Sequence, residues 1–103
     1  MFMTEIESDK ITDLMIEDYF NNVRSFCTQD LSKKELDTVE RTGILLMQTM
    51  VQAILQSATP DRQVEIFHRI QMRFMMVLQD YNRDWIWAIF SEFSDRLPEK
   101  MLN

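Results

Sequence analysis

The chain has 103 residues with one cysteine, one glycine and two prolines, and it carries a formal charge of −6. That length suits a single domain with its own core, and a lone Cys27 excludes an intramolecular disulfide and suits a reducing cytoplasm. Few turn residues argue against a sandwich or barrel; the acidic balance argues against general affinity for nucleic acid or an anionic membrane.

The first ten residues, MFMTEIESDK, are acidic and lack the basic and apolar regions of a signal peptide, so no targeting segment is expected. Residues 1–8 are expected to be flexible. A first helix is predicted from about Asp9 to Thr28, because Met15, Ile16, Tyr19, Phe20, Val23, Phe26 and Cys27 share one arc of about 140°. Asp13, Glu17, Asn21, Arg24 and Thr28 fall opposite and are expected to face water. Residues 1–20 set Glu5, Glu7, Asp9, Asp13, Glu17 and Asp18 against Lys10 alone. Such acids suit a helix N-terminus and solvent; the alternative is a docking face for a basic partner.

The second helix has a clear start. Ser32 and Glu35 form a capping box, in which each side chain accepts from the other's free backbone N–H, and the helix is predicted to run to about Ser57. Leu36, Val39, Gly43, Leu46, Met47, Met50, Val51 and Ile54 cover one side, with Ile44 and Leu55 at its edge and Leu45 turned towards Gln48 and Gln52. Gly43 costs about 1 kcal/mol relative to Ala in mid-helix, and a close helix crossing would account for it. The segment Ile44–Leu55 is the most apolar in the chain, yet it falls short of the roughly 20 residues that span a bilayer. No membrane association is expected.

The third helix opens with Thr59 as N-cap, Pro60 at its first position and Asp61 in its first turn. Ile66, Phe67, Ile70, Phe74, Val77, Leu78 and Tyr81 fall within about 120°. A kink or short break is expected near Asp80–Asp84, capped by Asn82 or Asp84. A last helix then runs to about Leu97 on a stripe of Ile86, Ile89, Phe90, Phe93 and Leu97, and Pro98 ends it. Residues 98–103 are expected to be flexible. The expected fold is all-α, one domain over residues 1–103: a small bundle of three long helices plus a shorter fourth, or three helices if the last two are continuous.

The candidate chemistry is thin. His68 and Cys27 lie on different predicted helices and supply no metal-ligand spacing. Cys27 belongs to an apolar stripe, where thiols act as small hydrophobes rather than nucleophiles. There is no phosphate loop or nucleophile elbow. No enzyme, metal or cofactor is expected. Lys33, Lys34, Arg41, Arg62, Arg69 and Arg73 raise the alternative of a DNA-binding regulator with a helical dimerisation bundle. Acids dilute these bases, however, and no helix-turn-helix spacing joins them.

The nine methionines point elsewhere. Met72 and Met76 fall off the main stripe of the third helix, and thioethers suit adaptable binding surfaces as well as irregular cores. Trp85 and Trp87 project about 160° apart on a helix, so both cannot face one core. The expected protein-binding surface is therefore Met72, Met76 and the more exposed of Trp85 and Trp87, rimmed by Arg69 and Arg73. The expected function is that of a small acidic cytoplasmic regulator, an inhibitor, anti-activator or chaperone-type adaptor. It would bind a partner protein stoichiometrically and form a homodimer.

Overall fold

A computed structural model describes residues 5–98, with side chains from residue 9 onwards. They form four helices and no strand: α1 (Glu5–Cys27), α2 (Lys33–Ser57), α3 (Pro60–Asp80) and α4 (Asp84–Asp95). The chain is thus an all-α bundle of three long helices and a shorter fourth. None of these helices is long and apolar enough to cross a membrane.

α1 starts at Glu5, earlier than the Asp9 expected from apolar spacing. Carboxylates in a first turn are favoured by the helix dipole, so the acidic run Glu5–Asp9 extends the helix although it adds no apolar stripe. The other residues expected to be flexible, 1–4 and 99–103, lie outside the described residues.

The helix boundaries follow local chemistry. At Ser32 the capping box closes: the Glu35 N–H donates to Ser32 Oγ at 3.2 Å, and the Ser32 N–H donates to Glu35 Oε1 at 3.0 Å. Thr59 is the N-cap of α3, but its side chain makes no cap bond. Gln63 ties that corner instead, its side-chain amide donating to the Ala58 carbonyl at 2.8 Å and the Leu55 carbonyl at 3.3 Å. The chain breaks at Tyr81–Arg83 without Gly or Pro. A continuous helix over Pro60–Asp95 would run about 54 Å, longer than the 44 Å greatest extent of the molecule, and would carry Ile89 and Phe93 past the core. Neither expected cap forms: the N-cap position is Arg83, and Asn82 Oδ1 accepts from Trp87 Nε1 at 2.6 Å.

Each helix buries most of its predicted stripe, with Leu46 and Phe26 the exceptions, and the centre is aromatic. Phe74 meets Phe20 edge-on at 4.9 Å, stacks on Phe90 at 5.3 Å and lies 5.4 Å from Phe93. α4 packs across α2 at Gly43, where Ile89 fills the space a side chain would need. From the other side the Tyr19 hydroxyl donates to the Gly43 carbonyl at 2.8 Å. Gly43 does mark a close crossing.

α1 and α3 run parallel and in register. Asp9 pairs with Arg62, Asp13 with Arg69, Glu17 with Arg73 and Asp80 with Arg24. The last three rungs are each 56 residues apart, as is the bond from Arg83 to the Cys27 carbonyl. Charge reverses at the final rung, so sliding α1 by one heptad would set Arg24 against Arg73. Three of the acids expected to face open solvent, Asp9, Asp13 and Glu17, are therefore partnered within the chain.

Candidate protein-binding site

The hairpin of α1 and α2 does not close along its outer side. Between the helices lies an open groove of about 620 Å³. The same turns of α1 that bury Ile16, Phe20 and Val23 also present Met15 and Phe26 on a neighbouring arc. α2 likewise buries Met47 and Ile54 while turning Leu46 outward. Met15, Val23 and Phe26 form one wall, Val39, Leu46 and Met50 the other. The floor is the Tyr19–Gly43 seam with Trp85 of α4 beneath it.

Leu46 is the clearest departure from the expected core. It belongs to the apolar stripe of α2, yet it is 54% exposed. Phe26 is partly exposed, and Ile11, Leu14 and Leu45 add exposed apolar surface on the same two helices. The rim is polar, with Asp18, Lys34, Glu35, Thr38 and Thr42. Burial holds the Tyr19 hydroxyl well above the usual phenol range, so it stays protonated and keeps donating to Gly43. The bonds from Ser32 hold Glu35 below the usual carboxylate range, so its charge persists to lower pH.

Of the residues expected to form the binding surface, Arg69, Met72, Arg73 and Met76 lie together on α3, and the two candidate tryptophans lie on α4. Arg69, Arg73 and Met72 share a shallow cleft of about 440 Å³ with Asp13, Glu17 and His68. Both arginines are held in the α1–α3 ladder, and the Arg73 guanidinium also stands 5.8 Å from the centre of the Phe20 ring. Met76 lies one turn on, on the outer face of α3; Met72 is 46% and Met76 49% exposed. Trp87 is the exposed tryptophan at 50%. Its ring is fixed by the Asn82 bond and by Phe90, 6.2 Å away. Trp85, only 7% exposed, belongs to the α1–α2 groove and not to the methionine face. Two indoles at i and i+2 point to nearly opposite sides of α4, so one patch does not hold both.

The groove itself was missed. Apolar arcs give the width of a helix face but not the splay between neighbours, and Leu46 and Phe26 read as core on that basis. The available signal was that the stripe of α2 is wider than one neighbour can cover.

Among the described residues, no acid–base or nucleophilic arrangement accompanies these surfaces. Cys27 is buried, and burial raises its thiol above the ordinary range despite Arg83 and Arg24 nearby. His68 shares its cleft with Asp13, which stands about 20 Å along α1 from Cys27. Among the described residues no group of His, Cys, Asp and Glu is placed to hold a metal ion. No family model, curated protein or solved structure matches the chain.

Proposed function

We propose that this chain is a small cytoplasmic protein-binding regulator that acts by stoichiometric association, as an inhibitor, anti-activator or chaperone-type adaptor, and not by catalysis. The observation that carries this reading is the open apolar groove between α1 and α2, with Leu46 and Phe26 turned into it and a polar rim around it. An apolar floor ringed by polar groups is the anatomy of a protein-recognition surface.

The regulator acts as a homodimer. Its accessible surface of 7218 Å² exceeds the roughly 6,100 Å² expected of a closed monomer of its mass. Its radius of gyration of 14.3 Å exceeds the roughly 12.8 Å expected of its length. The outer face of α3, with Met72, Met75 and Met76 exposed, supplies the self-association surface, rimmed by Arg69 and Arg73.

The test is comparative capture from the native host with the wild-type chain, Leu46→Glu and the double variant Met72→Glu/Met76→Glu. Both variants should retain the wild-type circular dichroism spectrum, because all three side chains are about half exposed. A partner held by wild type and lost from Leu46→Glu supports the reading. A partner set unchanged in both variants overturns it. The DNA-binding alternative is separated by retention on heparin at low salt, where this acidic chain should flow through.

A further inference from the structure

Resting on the protein-binding reading, we propose that the occupant of the α1–α2 groove is an amphipathic helix of about three turns, basic on its polar face, supplied by the partner protein. Three observations select it. The groove runs along α1 from Met15 to Phe26, about 16 Å at helical rise, which matches eleven residues of helix. It lies between two helices, and no strand occurs among the described residues, so an extended peptide has no sheet edge to join. A helix laid into an apolar groove is the recognition mode such a surface permits.

Charge selects the polar face. The charged groups on the groove are Asp18, Glu35 and Lys34, a negative balance on a chain already at −6. Asp18 stands apart from its neighbours on α1. Asp13 and Glu17 are neutralised by Arg69 and Arg73, whereas Asp18 points to the groove and forms no ion pair among the described residues. A lysine or arginine on the incoming helix answers it. Leu46 and Phe26 are the apolar contacts, received by side chains repeating every three to four residues on the ligand.

Trp85 provides the readout. It lines the groove while Trp87 lies on the other side of α4, so in a Trp87→Phe protein the emission reports the groove alone. The probes are three synthetic 14-residue peptides. One carries leucines at helical spacing with lysines opposite, one is its scrambled isomer, and one carries glutamate for lysine.

The lysine peptide should bind one to one, gain helicity and shift the Trp85 emission. The scrambled isomer should not bind. The glutamate peptide should bind at least tenfold more weakly at low salt, with the gap narrowing at high salt, and Leu46→Glu should weaken the lysine peptide at least tenfold. Equal binding of the lysine and scrambled peptides overturns the proposal. So does lysine-peptide binding that ignores Leu46→Glu yet vanishes in Met72→Glu/Met76→Glu. Failure of the peptide, with Leu46→Glu turning a wild-type dimer into a monomer by light scattering, overturns it in favour of a second copy. Failure of all three peptides while Leu46→Glu still loses the captured native partner overturns the helical occupant but leaves the protein-binding reading standing. A captured set indifferent to both variants would remove that reading as well.

Discussion

The Cδ1 atom of Ile89 lies 2.5 Å from where a Cβ on Gly43 would stand, and its Cγ1 lies 3.4 Å from the same point. Real Cβ atoms do not approach that closely, so the crossing of α2 and α4 depends on the missing side chain. Ile89 is fully buried, so any swing of its end has to be taken up within the core. Helix propensity alone would favour Ala over Gly by about 1 kcal/mol. Overpacking costs about 1–3 kcal/mol and wins here. Gly43→Ala should destabilise by about 1 kcal/mol and Gly43→Leu by more than about 2 kcal/mol in denaturant melts. Ile89→Val removes Cδ1 and costs about 0.5–1.5 kcal/mol alone. In that background Gly43→Ala should become neutral or stabilising; if it stabilises the wild-type chain, the crossing is looser than described.

The methionine face gives the second prediction. Met72→Glu/Met76→Glu should keep the wild-type melting temperature to within a few degrees, because neither side chain is in the core. Light scattering at tens of micromolar should show a dimer for the wild-type chain and a monomer for the double variant. A monomeric wild-type chain would remove the homodimer.

The ion-pair ladder should contribute modestly. Exposed pairs are worth about 0–1 kcal/mol each and weaken with salt. Arg69→Ala should therefore cost no more than about 0.5 kcal/mol. Arg73→Ala should cost more, on the order of 1 kcal/mol, because that side chain also covers the Phe20 ring. Raising NaCl from low to high concentration should shrink the first cost and leave most of the second. Equal and fully salt-sensitive costs would show that Phe20 gains nothing from Arg73.

Alkaline pH should loosen the fold. The ordinary values are 9.0 for the Cys27 thiol and 10.0 for the Tyr19 phenol, and burial raises both in the folded chain. Between the unfolded and folded values the folded state holds protons that the unfolded state has lost. The stabilisation is complete below the unfolded values and is lost as pH rises towards the folded ones. Unfolding free energy should thus fall above about pH 9, more steeply past pH 10. Tyr19→Phe should flatten that slope, and its neutral-pH cost should be about 1 kcal/mol for the lost bond to Gly43. The Cys27 thiol should also react with iodoacetamide only at the rate of local opening.

Much of the fold was legible because it rests on short-range patterns. The Ser32–Glu35 box, Pro60 after Thr59, and the stripe Ile66–Tyr81 each act within a turn or two, and each appears where the spacing puts it. Gly43 was legible for a related reason: a glycine on an apolar helix face calls for a tight neighbour, although its identity as Ile89 did not follow. Partner choice across the bundle was the part that local pattern does not carry. Asp13 read as a solvent charge and Arg69 as the rim of a binding surface, because nothing near either one announces a residue 56 positions away. The groove escaped for the same reason, since Leu46 is apolar and in phase with its stripe, and its exposure depends on how far α1 stands off.

The 56-residue offset shared by the last three rungs also bears on where the chain tolerates insertion. Residues added to the Thr28–Ser32 turn change the count between Asp13 and Arg69 but leave the rungs within each helix in phase, so α1 and α3 can still meet face to face. One residue added inside α1 between Glu17 and Arg24 rotates everything beyond it by about 100°. Arg24 would then leave Asp80, and Phe26 would leave the groove wall. Length variation in this protein should therefore collect in the turns around α2, and the span Asp9–Arg24 should resist it.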